Sequence, residues 1–318
     1  DSLALVLHLL GTLHHPDAMD SAVYYTKRAL DHWKELPKQE GEGKSAYNLG
    51  AFLMKQGLYR QAIPYLEHSV AVFDKLNIGK RLRYSYGQLN QAYTRVGAYQ
   101  KAQAVIALAL LYDKAEGREE SLAGTYLNKG LLHIKQRQYA EAVSVLRKAD
   151  EIYKQFPVSI NHARTIHNLA WASDELGQIK QAESEYLRAL ALYRRLEKCQ
   201  DIANSSNTLG VFYVENDQLQ KALPFLEEGL AVSESCDLTV NAAQSYDHFG
   251  MYYLASSRTA EAIEAFQRAQ QLLIPTYQPQ ASTDVPSTQQ LEQCANPLDH
   301  IVYLNDQVRA LEQCLKQA

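Results

Sequence analysis

Stepping along this chain forty residues at a time from Ala22 lands on alanine at every stop: Ala22, Ala62, Ala102, Ala142, Ala182, Ala222 and Ala262. Seven residues beyond each stop stand Ala29, Ser69, Ala109, Ala149, Ala189, Gly229 and Ala269, all small. Twelve residues before the later stops stand Gly50, Asn90, Gly130, Ala170, Gly210 and Gly250, small apart from Asn90. A period held without insertion over most of a 318-residue chain leaves few folds open. A unit of that length is too small to bury its own core, so it must stack on copies of itself.

Each unit has the pattern of a helical hairpin. Apolar residues recur at intervals of three and four, as in Leu49, Phe52 and Leu53, then Ile63, Leu66, Val70 and Phe73. Short turns carrying Gly or Asp, for example "KQGLY", "RVGAY" and "ELGQI", join the two halves, with Gly57, Gly97 and Gly177 marking one of them. Small residues at a fixed phase let the two helix axes approach, because a larger side chain would hold them apart. Pro64 and Pro224 share one phase early in the second helix, where a missing N–H is expected to cost little. Pro37 and Pro157 share another, after the second helix, and are expected to stop it. The expectation is an all-α solenoid.

Quoted in full, three copies read "YNLGAFLMKQGLYRQAIPYLEHSV", "YLNKGLLHIKQRQYAEAVSVLRKA" and "NTLGVFYVENDQLQKALPFLEEGL". They resemble tetratricopeptide repeats, whose pattern pairs a small with a large apolar residue in helix A and places "Y..A...(F/L)..A" in helix B. The resemblance extends over residues 2–274 in seven copies, the first atypical because Leu10 stands where later copies carry glycine. It implies a right-handed superhelix of about seven hairpins. The family's common repeat is shorter by six residues, about 1.7 helical turns, so longer helices are expected here. Long repeats of this kind are similar to those of kinesin light chains, cell-polarity adaptors, peptide-pheromone receptors and MalT-like sensor domains.

The repeat stops after Ile274. Residues 275–297 are rich in Pro, Ser, Thr and Gln and read as a linker. Residues 298–318 carry Ile301, Leu304, Val308, Leu311 and Leu315 at helical spacing, which suits either a helix capping residues 1–274 or one that self-associates.

Charge and cysteine usage narrow the function. A formal net charge of −4 supplies no general affinity for nucleic acid or anionic membranes. Cys199, Cys236, Cys294 and Cys314 form no C-x-x-C pair, so free thiols in a reducing, cytoplasmic setting are expected. The apolar start, "DSLALVLHLLGTLHH", lacks a basic leading region and is too short to span a bilayer, which suits an amphipathic helix at the edge of a larger chain. His14 and His15, in an expected loop, lack further ligands at any useful spacing, so neither a metal nor a cofactor is expected. No nucleophile stands beside a base, and no catalytic residue is assigned.

The resemblance places helix A on the inner wall and turns Lys44, Tyr47, Asn48, Ala51, Met54 and Lys55 inward, with their equivalents every forty residues. Asn48, Gln88, Asn128, Asn168, Thr208 and His248 form one row. Its carboxamides offer the donor and acceptor that an extended peptide backbone requires. A second row, Lys55, Arg95, Lys135, Glu175 and Glu215, changes sign midway and would orient a bound peptide, unless these are only solvated charges at helix ends. Trp171, beside Arg164 and His167, is an aromatic anchor or a core residue. Gln91 and Asn207 complete the candidate contacts. The expectation is a non-catalytic module that holds a peptide or partner segment. The alternative is the ligand-sensing domain of a signal-transducing regulator, and in either case further domains of a longer chain are expected.

Overall fold

The computed structural model describes residues 2–14, 19–37 and 39–273. Fourteen helices account for the regular structure among them: α1 (Ser2–His14), α2 (Met19–Lys34), α3 (Gln39–Lys55), α4 (Tyr59–Lys75), α5 (Gly79–Arg95), α6 (Tyr99–Ala115), α7 (Glu119–Lys135), α8 (Tyr139–Tyr153), α9 (Ile160–Glu175), α10 (Ile179–Arg195), α11 (Cys199–Glu215), α12 (Leu219–Ser235), α13 (Thr239–Ala255) and α14 (Thr259–Leu273). They pair in sequence as antiparallel hairpins, α1 with α2 through α13 with α14. The expected linker and final helix, 275–297 and 298–318, lie outside the described residues, as does His15. His14 ends α1 and does not stand in a loop.

The forty-residue period is two identical half-periods. Nine of the helices are 17 residues long, for example α3 and α4, and three residues join each to the next. The length beyond a short repeat therefore goes into the helices, each about 25 Å long at 1.5 Å per residue. The middle junction residue adopts a left-handed conformation at Gly57 (φ 77°), Asn77 (53°), Gly97 (75°), Gly117 (62°), Arg137 (57°), Gly177 (70°), Glu197 (52°), Asp217 (57°), Asp237 (55°) and Ser257 (59°). Glycine does this freely; the other types accept a cost of roughly 1 kcal/mol. The next residue then serves both helices. Leu58 donates its N–H to Leu53 O at 2.9 Å, closing α3, while its carbonyl accepts from Ala62 N at 3.0 Å, opening α4. Six of these ten turns carry the Gly or Asp that the sequence pattern calls for, at Gly57, Gly97, Gly117, Gly177, Asp217 and Asp237; Asn77, Arg137, Glu197 and Ser257 do not.

Residues 37 and 157 occupy the same phase, and both are proline, which cannot take a positive φ. At Pro157 the standard junction is lost. Helix α8 stops early at Tyr153, and Ser159 opens α9 from an extended conformation (φ −131°, ψ 159°), its Oγ accepting from His162 N at 3.3 Å. The chain divides here into two compact units, Asp1–Pro157 and Val158–Ala318.

Within each unit the small residues sit where helices A and B cross. A Cβ on Gly50 would stand 2.6 Å from Leu66 Cγ, one on Gly130 2.5 Å from Leu146, one on Gly210 2.4 Å from Leu226, and one on Gly250 2.3 Å from Phe266. The first hairpin keeps this contact one residue later, with Gly11 against Thr26, so Leu10 does not abolish it. The alanines of the forty-residue series are all fully buried. Pro64 and Pro224 correct an expectation: each is the sixth residue of its helix, beyond the first turn, so the Arg60 and Gln220 carbonyls lose a helical partner. Both prolines are on the solvent side, where water can supply the missing bond.

Candidate functional site

In unit 1 the A helices α3, α5 and α7 approach one another in turn, and in unit 2 α11 approaches α13, while no two B helices come as close. The A helices therefore form the inner wall of each unit, and their outward positions are the candidate contacts.

In unit 1, Asn48, Gln88 and Asn128 are half-exposed at one level of the wall. Gln88 hydrogen-bonds Tyr47 on the neighbouring helix, and burial raises the Tyr47 phenol pKa. Lys55, Arg95 and Lys135 are exposed at the next level, as is Gln91. Arg95 lies over the Tyr59 ring at 5.7 Å, so its guanidinium is steadied without being neutralised. Nearby, Arg83 stacks on exposed Tyr84 at 4.6 Å, and its buried Nε has no hydrogen-bond partner. Arg83 stands where other copies carry Gly43, Ala123, Ala163 and Ala203, and the sequence reading missed it.

In unit 2 the candidate row is only partly free. Asn168 donates Nδ2 to Arg164 O at 2.7 Å, and Thr208 donates Oγ1 to Asn204 O at 2.8 Å, both within their own helices. His248 is half-buried. One expectation is corrected. Asn207 is 2 % exposed and faces the interior, donating Nδ2 to Ser245 Oγ at 2.8 Å. It lies one residue from the Asn168–Thr208 row, and one residue turns a helical side chain by about 100°. His167 occupies the same inward phase. Its ring packs edge-on against Tyr186 and Tyr193, with centroids 5.6 and 6.3 Å away, and burial pulls the imidazole pKa down to about 4. Asn207 is therefore withdrawn from any partner, whereas His167 stays half-exposed with its ring held against the two tyrosines.

Trp171 is 37 % exposed and donates Nε1 to Glu175 Oε1 at 3.1 Å, so it is a surface residue and not a core one. Glu175 and Glu215 are exposed beside Asp174, whose carboxyl is pushed up to about 6 by burial and then by those two acids. Both charged neighbours that shift it are acids, so Asp174 is crowded by like charge. Asp174 was not among the sequence candidates; its signal was adjacency to Glu175, but its half-burial was not legible. Arg164 is exposed and lies 3.7 Å from Asp201 of the next A helix.

The expectation of free thiols is corrected at two positions. Cys199 and Cys236 are joined by a disulfide, with Cα atoms 6.4 Å apart. Thirty-seven residues separate them, yet the hairpin returns the end of α12 to the start of α11. The cytoplasmic reading drawn from free thiols loses that premise. No helix among the described residues is long and apolar enough to cross a membrane, and no cluster of metal-ligating side chains is found among them.

The tetratricopeptide-repeat sequence profile matches residues 121–195 and 201–274. The Arabidopsis thaliana protein FLUORESCENT IN BLUE LIGHT, chloroplastic, is 34% identical over 76 residues, a match spanning 24% of this chain and 24% of that protein. BtubC (BKLC) from P. vanneervenii superposes with a TM-score of 0.59 at 22% identity, covering 74% of this chain and 97% of that one. The Rap conjugation gene regulator of plasmid pLS20, solved in complex with the Phr* peptide, superposes with a TM-score of 0.56 at 14% identity, covering 88% and 76%. At these identities the two structures establish a shared fold.

Proposed function

As a tetratricopeptide-repeat protein, the chain offers partners a wall of A helices in each unit, and we propose that these walls hold extended peptide segments of opposite charge. Unit 1 takes an acidic segment against Lys55, Arg95 and Lys135, with Asn48, Gln88 and Asn128 bonding its backbone. Unit 2 takes a basic segment at Glu175, Glu215 and Asp174, with Trp171 offering an aromatic face to a cationic side chain. The observation that carries this reading is the exposed charge at one level of each wall, basic at Lys55, Arg95 and Lys135 in unit 1 and acidic at Glu175 and Glu215 in unit 2, with half-buried Asp174 beside those two acids.

A displayed library of short peptides, selected on the whole chain, tests this. Wild type should enrich acidic and basic peptides as two classes. Lys55→Glu with Arg95→Glu and Lys135→Glu should lose the acidic class alone, and Glu175→Lys with Glu215→Lys the basic class alone. Enrichment of neither class, or losses that ignore the charge reversals, would refute the proposal. The likeness to a gene regulator in complex with the Phr* peptide supports a peptide as occupant, and it favours a sensing role as the second reading. In that case a selected peptide would change the small-angle scattering profile; a passive adaptor would leave it unchanged.

A further inference from the structure

The Cys199–Cys236 bond closes the open end of the α11–α12 hairpin, opposite its turn at Asp217. The fold does not require it. Equivalent positions in other copies carry Gln39 and Leu76, Gly79 and Glu116, Glu119 and Phe156, and Ser159 and Leu196, and those hairpins close without a covalent link.

The bond's neighbours give it consequence. The first half of α11 holds the polar bridges between this A helix and those beside it. Asp201 faces Arg164 of α9 at 3.7 Å, Asn204 Oδ1 accepts from Asn241 Nδ2 of α13 at 2.6 Å, and Asn207 Nδ2 donates to Ser245 Oγ of α13 at 2.8 Å. Ser206 also donates to Glu228 Oε2 at 2.7 Å, the carboxylate that Arg194 engages. Asp201 and Asn204 lie in the first two turns of α11, the part of a helix that frays first when its end is released, and buried Ser206 and Asn207 follow at its middle. The two cysteines are half-exposed, so a reductant can reach them.

We propose that Cys199–Cys236 is a thiol–disulfide exchange site whose reduction loosens the A-helix wall of unit 2. The co-reactant is a dithiol, either a small molecule or the vicinal cysteine pair of a reducing protein. One thiolate of the dithiol attacks Cys236 Sγ, the S–S bond breaks, and its electron pair leaves on Cys199. Cys199 is the better leaving group because it is the first residue of a 17-residue helix and follows Lys198, both of which favour a thiolate. The second thiolate then attacks the mixed disulfide and releases Cys236. The dithiol becomes a disulfide, and its two protons end on the two cysteines. With the loop between Cys199 and Cys236 open, the start of α11 frays, and the bridges at Asp201 and Asn204 weaken together. The effect on ligands rests on unit 2's wall being a binding face; the exchange and the loosening do not.

Hydrogen–deuterium exchange of the whole chain, with and without dithiothreitol, tests the inference without any partner. Differential alkylation read at Cys199 and Cys236 confirms the redox state in each sample. Reduction should speed amide exchange over residues 199–207 by at least about tenfold and leave unit 1 unchanged. The Cys199→Ser/Cys236→Ser variant should exchange fast over those residues under both conditions. Cysteines already free in the untreated protein, a bond that dithiothreitol leaves intact, or unchanged exchange at 199–207 after confirmed reduction would each overturn it. Failure of peptide selection with the exchange response intact would count against the binding reading alone.

Discussion

Gly87 and Gly130 both lie inside A helices of unit 1, and replacing each with alanine should move stability in opposite directions. Glycine in a helix interior costs about 1 kcal/mol relative to alanine, so both substitutions carry the same favourable term. At Gly87 nothing stands within 4 Å of the added Cβ, and that term is all that remains. At Gly130 the Cβ would lie 2.5 Å from both Cγ and Cδ2 of Leu146, which is 0 % exposed and has no room to retreat. Ordinary contact requires about another ångström, so α7 and α8 must part or Leu146 must leave its rotamer. Overpacking of this kind costs about 1–3 kcal/mol, enough to cancel or outweigh the propensity gain. Gly87→Ala should therefore stabilise by about 1 kcal/mol and Gly130→Ala should destabilise by up to about 2 kcal/mol. In a domain of 150–250 residues each kcal/mol moves Tm by about 2–4 °C, well within reach of thermal unfolding followed by circular dichroism. If Gly130→Ala raised Tm as much as Gly87→Ala, close approach of helices A and B would not be what the small residues of the repeat serve.

Asp174→Asn should stabilise unit 2 at neutral pH. With the folded pKa raised to about 6 from 3.8, the ionised carboxylate costs stability above pH 6, and that loss is recovered as pH falls from 6 to 4. After allowance for solvent screening the gain is about 1 kcal/mol at pH 7–8, and urea midpoints of variant and wild type should converge below pH 4. A constant difference across that window would show that charge is not the cause. His167→Phe should act on the acid side with the opposite sign. The imidazole is held neutral with its pKa near 4, so its contribution is complete above pH 6.5 and is lost as pH falls from 6.5 through 4. Phenylalanine should remove on the order of 2–3 kcal/mol of that acid sensitivity, read as a flatter Tm against pH; an unaltered profile would mean that His167 is not the group titrating.

The period and phase of the alanines determined the hairpins, their stacking and the close contacts at Gly50, Gly130, Gly210 and Gly250. Those features depend on the helical repeat and on neighbours at fixed offsets, both of which are written locally. Even the division at Pro157 was present as a proline, although its meaning depended on residue 157 sharing the phase of the left-handed turns. Tertiary structure alone decided which polar residues of the A helices remain free. One residue of register separates half-exposed Thr208 from buried Asn207, and the environment of Asp174 depends on Glu215, forty-one positions away. The pairing of Cys199 with Cys236 was likewise settled by where two helix ends meet. Periodicity tells a chain how to pack on itself; burial, charge crowding and covalent pairing depend on which distant residues that packing brings together.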